Sequence, residues 1–226
     1  MFLPLSDSNP LRSITFPYVN TGIILVTVLV FVVLQSVLIL ESDNTVLYGA
    51  IPAVLFASVS LGVDDIAIST ELTLVTYMFL HGGWMHLLGN MLFLWVFGDN
   101  IEDAMGHVRY LIFYLACGII AGFTYAAIAA ESQAPLIGAS GAVAGVVGAY
   151  LVLHPKVKIW VLVFARIPLR LPAMYLLGAW VLLQIFNAAL ADPSDDVAWW
   201  AHIGGLAAGV ILLPLMKRDE VPLFGR

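Results

Sequence analysis

Six apolar stretches of about 20 residues divide this chain, near residues 21–40, 86–104, 108–130, 138–154, 172–190 and 197–216. Wound as helix, that length matches the roughly 30 Å hydrocarbon core of a bilayer. Backbone N–H and C=O groups find no water there, so each stretch is expected to satisfy its own polar groups as a helix. Composition agrees: 62% of the 226 residues are hydrophobic and only 11% charged, where soluble domains carry about 25% charged residues. No Pro/Ser-rich linker, charge run or internal repeat marks a second domain. The expected fold is an all-α integral membrane bundle of six transmembrane helices. Residues 1–20 form an N-terminal segment, 21–216 the core and 217–226 a tail.

Charge supplies the orientation. All nine Lys/Arg residues (Arg12, Arg109, Lys156, Lys158, Arg166, Arg170, Lys217, Arg218 and Arg226) fall on one side of the alternating spans. The opposite segments carry Glu41, Asp43, Asp64, Asp65, Glu71, Glu131, Asp192, Asp195 and Asp196 instead. The positive-inside rule then places both termini in the cytoplasm. Residues 1–10 lack a basic start followed by an apolar stretch, so the first span is expected to remain in the protein. Cys117 stands alone, which excludes an intrachain disulfide, and the net charge of −6 gives no indication of nucleic-acid binding. Residues 41–70 mix apolar stretches with acids and are too broken to span; a partly helical loop on the membrane surface and an ordinary exposed loop both fit. Trp199 and Trp200 suit an interfacial belt at the outer end of the sixth span.

Against this apolar background a few polar residues stand out. Ser140 opens the fourth stretch within Gly138-Ala139-Ser140-Gly141, His202 lies early in the sixth within Ala201-His202-Ile203-Gly204-Gly205, and His81, His86 and Asn90 lead into the second. A polar group at membrane depth is costly and is a functional candidate by default. Counting 1.5 Å per residue from the expected inner boundaries puts Ser140 and His86 roughly 21 Å up and Asn90 roughly 15 Å up, while His202 lies roughly 8 Å below the outer boundary. Three helices thus bring a hydroxyl, an imidazole and two side-chain donors to one shallow layer. Irregular backbone at that depth needs protein or a water-filled cavity against it, so residues 131–137 are expected to dip inward to meet the short fourth span. The small-residue spacings Gly141/Gly145 and Gly205/Gly209 allow the fourth and sixth helices to approach closely. Each polar residue also has a structural reading: a lone serine bonds its own helix backbone, and an asparagine can cross-link helices. Taken together they are the parts of a serine hydrolase, with Ser140 as nucleophile and His202 as base. Charge on the tetrahedral oxygen would be met by the start of the fourth helix and by His86 and Asn90. Asp99, Glu102 and Asp103 lie at the cytoplasmic end, so the chemistry reads as a dyad without a carboxylate.

These motifs, in this order over about residues 11–216, resemble the rhomboid family of intramembrane serine proteases. The resemblance implies Ser140 as nucleophile, His202 as base, and His86 and Asn90 as oxyanion donors. It also implies that transmembrane protein substrates are cleaved near their outer boundary, with no cofactor. His81 matches a position with a structural role, bracing the outer loop. Two positions depart from the family pattern. Leu72-Thr73 stand where many members carry Trp-Arg, and Ala144 stands where many carry an aromatic residue against which the histidine packs. The compact six-span form without a transit peptide points to a bacterial plasma membrane.

Other function classes fare worse. A catalytically inactive rhomboid-like protein that binds membrane proteins is the main alternative, although it would have lost the nucleophile or the base. A transporter would carry inverted repeats. A membrane metalloprotease needs His-Glu-x-x-His, absent here, and no metal ligands are expected. An aspartyl protease needs two facing aspartates, whereas Asp99 and Asp103 share one helix end.

Overall fold

The computed structural model describes residues 2–38, 41–59, 68–164, 166–190 and 197–225, and for residues 36–38 and 41–44 the backbone alone. The acids Asp64, Asp65, Asp192, Asp195 and Asp196, and the base Arg226, lie outside the described residues. The chain opens with β1 (Phe2–Asp7) and α1 (Tyr18–Leu29), which runs on as a π-helix over Val30–Leu38. Three short helices follow, α2 (Glu41–Tyr48), α3 (Pro52–Leu55) and α4 (Thr73–Thr76). Next, α5 (Trp84–Phe93) leads through a π-helical Leu94–Gly98 into α6 (Asp99–Met105). Gly106 breaks the helix with a φ of +83°, and α7 (His107–Ile128) begins at once. The remaining elements are α8 (Ser140–Leu153), β2 (Lys158–Val163), β3 (Ile167–Pro172), α9 (Ala173–Leu190) and α10 (Trp199–Met216).

Among the described residues, four helices are long and apolar enough to cross a membrane: Tyr18–Gln35, His107–Ile128, Ala173–Leu190 and Trp199–Met216. The second expected span is helical from Trp84 to Met105, but carries Asp99, Asn100, Glu102 and Asp103 near its end. The fourth is α8 alone, 14 residues and therefore about 21 Å long. A helix that is apolar on every side belongs inside a bundle, and α8 does: residues 141–150 are all buried. Its small residues make that position possible. A Cβ on Gly205 would overlap the Gly141 carbonyl, and one on Gly209 would overlap that of Gly145. Spans four and six therefore touch backbone to backbone, as the glycine spacing predicts. Around this axis pack the buried rings of Phe97, Tyr110, Phe113, Tyr114 and Tyr150. Leu25, Trp95, Leu182, Ile211 and Leu215 face outward and give the bundle an apolar exterior.

An all-α fold does not describe the whole chain. A three-stranded antiparallel sheet of order β1-β2-β3 joins the N-terminal segment to the connection between α8 and α9. Lys158-Ile159-Trp160-Val161-Leu162-Val163 is rich in β-branched and aromatic residues, which suit a half-buried pleated surface. Pro4, Pro168 and Pro172 fall on the two edge strands, where a missing N–H costs no ladder bond. The register of β1 shifts between Pro4 and Ser6.

Charged side chains close one end of the bundle. Both oxygens of Asp103 accept backbone N–H bonds, from Arg12 at 3.1 Å, Ser13 at 2.7 Å and Ile14 at 2.8 Å. Glu102, fully buried, accepts from Val19 and Asn20 at 3.0 and 2.7 Å, satisfying donors in the first turn of α1 that have no partner inside the helix. The C-terminal tail meets the same end, through Arg218 N–H to the Ala104 carbonyl and Phe224 N–H to that of Val152. The N-terminal segment and the tail therefore share the end at which α8 finishes, and α8 begins at the opposite end.

Candidate active site

Ser140 is the first residue of α8, reached through the irregular backbone that follows α7. Several of its polar groups are paired. Leu136 exchanges two backbone bonds with Ala50, at 2.8 and 3.1 Å, and Gly138 N–H donates to the Tyr77 carbonyl at 2.9 Å. Residues 131–137 lead to Ser140 with Leu136 buried, while Glu131, Gln133 and Ala134 stay exposed. Residues 41–59 make further bonds: besides the Ala50 contact, Ala53 N–H bonds Ser132 and the Thr76 hydroxyl bonds the Tyr48 carbonyl at 2.6 Å. This is a partly helical loop, and these bonds tie it to its neighbours.

Gly138 fulfils two requirements. Its φ of +114° is one that a side-chain-bearing residue rarely adopts, and a Cβ there would collide with the His86 imidazole. The glycine lets His86, from the first turn of α5, pack against the entry to α8. His86 Nδ1 accepts a long 3.4 Å bond from the Gly82 N–H.

His202 comes from the first turn of α10. Its Nε2 lies 2.9 Å from Ser140 Oγ, and its Nδ1 lies 2.8 Å from Gln184 Oε1 on α9. Two rings confine the imidazole: Trp180 stacks at 6.4 Å between centroids with 29° between planes, and Trp199 stands edge-on at 5.8 Å and 90°. Ala144, one turn beyond Ser140, is fully buried, so the aromatic support missing from α8 comes from α9 and α10. Trp199 faces the histidine as well as the bundle end.

Asn90 is buried one turn below His86, with its amide nitrogen 3.1 Å from His81 Nε2. Gln35 in turn holds His81 by its backbone: Gln35 Nε2 donates to the His81 carbonyl at 3.0 Å, and His81 N–H donates to Gln35 Oε1 at 2.9 Å. A chain of contacts thus runs from the first helix through His81 to Asn90. Ser140, His202, His86 and Asn90 all border one cavity of about 990 Å³, which Trp180 and Gln184 also line. Asp99, Glu102 and Asp103 stand at the other end of the bundle, so the sequence-based assignment of them away from the site matches their position. Gln35, Trp180 and Gln184 are the site neighbours that the sequence reading missed. The signal was present: two amides inside apolar spans are as costly as a serine or histidine there.

Known proteins give the chain a family. The Rhomboid domain family model matches residues 69–219, more than half of the chain. The chain is 30% identical over 157 residues to rhomboid protease GluP of Bacillus subtilis, covering 68% of this chain and 27% of that protein. It is 28% identical over 165 residues to RHOMBOID-like protein 12, mitochondrial, of Arabidopsis thaliana, covering 66% of this chain and 47% of that one. With Rhomboid protein 1, mitochondrial, of Saccharomyces cerevisiae the identity is 32% over 154 residues, covering 64% and 41%. The chain thus spans less than half the length of each of these three relatives. Its four helices, among the described residues, that are long and apolar enough to cross a membrane, and its match to the family model, make it a multi-pass membrane protein that belongs to the rhomboid family.

Proposed function

We propose that this chain is an intramembrane serine endopeptidase that cleaves transmembrane protein substrates near one membrane boundary, with Ser140 and His202 as its catalytic pair. The observation that carries the reading is the 2.9 Å approach of Ser140 Oγ to His202 Nε2 at the wall of the cavity. In this scheme His202 Nε2 takes the Ser140 hydroxyl proton as Oγ bonds to the scissile carbonyl carbon. The resulting oxyanion is met by the opening N–H groups of α8 and by His86 and Asn90. Collapse breaks the C–N bond, with the leaving amine taking the proton from His202, and water then hydrolyses the acyl-enzyme by the same steps. No cofactor or metal takes part.

The same proposal places six crossings in the membrane, the sixfold pattern being completed by the helical run 84–105 and by α8. Both termini then lie in the cytoplasm, on the side of the Lys/Arg-rich segments, and the site opens toward the outer face. A bacterial plasma membrane is the proposed location. Cleavage of a transmembrane reporter by the purified protein tests the activity. Ser140→Ala and His202→Ala should each abolish it with helical content intact, and the double variant should be no worse than either single one, because the two groups act as a unit. A protein that binds membrane proteins without cleaving them would show no cleavage to lose.

A further inference from the structure

Gln184 does nothing in a two-residue mechanism, yet it is placed as closely as the residues that do. It lies on α9, 18 positions before His202, and is 4% exposed. Its two amide atoms have separate partners. Nε2 donates to the Trp180 carbonyl one turn back, a long bond at 3.4 Å, and Oε1 faces His202 Nδ1 at 2.8 Å. The Trp180 contact matters because it orients the amide: with the NH₂ group turned toward a carbonyl, the oxygen is the atom left for the imidazole. An amide oxygen can only accept a hydrogen bond. His202 must therefore carry its proton on Nδ1, which leaves Nε2 as an acceptor facing the Ser140 hydroxyl at 2.9 Å. Trp180 and Gln184, four residues apart and so on one face of α9, hold the ring together, one by stacking and one by hydrogen bonding.

We infer that Gln184 is a positioning residue that fixes the tautomer and orientation of His202, so that the working unit is Ser140–His202–Gln184. The inference rests on the serine-protease reading above. A carboxylate is the usual third member where a base must be held in one tautomer. An amide does the same without adding a charge to a buried site, where an unpaired carboxylate would be costly. As the ring becomes imidazolium, Nδ1–H stays on Gln184 Oε1 and Nε2–H forms on the side of the substrate.

Three variants separate this role from packing. Gln184→Leu keeps the volume and removes the acceptor; Gln184→Glu restores an acceptor oxygen; His202→Ala tests the reading beneath. Each is assayed with a fluorophosphonate probe and a transmembrane reporter, with thermal midpoints measured alongside, and ¹⁵N spectra of the His202 ring are recorded for wild type and Gln184→Leu. The expected result is a roughly 10- to 100-fold loss of kcat in Gln184→Leu at little change in KM, the cost of a misplaced catalytic group. Gln184→Glu should recover much of the rate, and the ring signal should show Nδ1–H in wild type but not uniformly in Gln184→Leu. If Gln184→Leu keeps the wild-type rate and tautomer while His202→Ala is dead, the positioning role is wrong and the dyad stands. If His202→Ala labels like wild type, the protease reading fails, and the ring spectra still decide whether Gln184 sets the tautomer. A rate lost in proportion to folded protein, unrescued by Gln184→Glu, would also overturn the inference.

Discussion

Ser140 Oγ and His202 Nε2 stand 2.9 Å apart although 62 residues separate them in sequence. Glycine makes the approach possible. Gly141 follows the serine and Gly205 lies one turn beyond the histidine, and the two backbones touch there with no room for a Cβ. Hydroxyl and imidazole are thus brought together by the packing of two helices, not by a loop.

That packing predicts the outcome of filling the Ala144 position. Ala144 is fully buried on α8, between the glycines that contact α10, and His202 already has Trp180 and Trp199 against it. Ala144→Phe should therefore overpack the interface and cost about 1–3 kcal/mol. A lower thermal midpoint with no gain in probe-labelling rate is expected; a variant as stable as wild type that labels faster would show a gap beside His202.

Asn90 and His86 should act on the transition state more than on binding. Replacing either with alanine should lower kcat with KM little changed, a lost oxyanion donor being worth about 2.7–4 kcal/mol. Asn90 also meets His81, which Gln35 secures to the first helix, so Asn90→Ala should lose some stability as well. Rates are to be normalised to folded protein. If the normalised rates stay at wild type, both residues are only helix cross-links.

The orientation of the bundle has its own test. Cysteine at Ser132, on the side of the candidate site, should react with an impermeant thiol reagent outside intact cells, and cysteine at Lys156 should not. The native Cys117 is buried and leaves a low background. Labelling of Lys156→Cys from outside would overturn the proposed topology.

At the other end, Asp7 in β1 accepts a 2.5 Å hydrogen bond from the Tyr150 hydroxyl, and burial holds its carboxyl above the usual carboxylate range despite that bond. The folded state thus keeps the proton more tightly than the unfolded chain. The stability this contributes is present in acid and is lost as pH rises through the folded pKa. Asp7→Asn keeps an acceptor oxygen and does not titrate. Its thermal midpoint should therefore gain on that of wild type as the pH rises from about 4, the ordinary aspartate value. A difference that is flat with pH would contradict this.

Most helix positions were legible in the sequence because long apolar runs allow little else in a bilayer. Ser140 and His202 were legible because a hydroxyl and an imidazole each sit beside small residues in such a run. The sheet was not: β2 and β3 lie in a short connection between apolar runs, and β1, which pairs with β2, lies some 150 residues away at the start of the chain, a pairing that no local pattern reveals. Gln184 was missed for another reason. A lone amide belongs to no motif, and its meaning depends on which face of α9 turns toward His202, which only the packing of α9 decides. Likewise the aromatic support absent at Ala144 was sought on α8, whereas Trp180 and Trp199 supply it from two other helices.

In the proposed mechanism Ser140 is a nucleophile activated by His202. Incubating the purified protein in lipid with a fluorophosphonate probe, then mapping the modified peptide by mass spectrometry, tests it most directly. A single adduct on Ser140 is expected, formed by wild type and lost in His202→Ala while that variant remains folded. Absence of any adduct on folded wild-type protein, or equal labelling of Ser140 without His202, would contradict it.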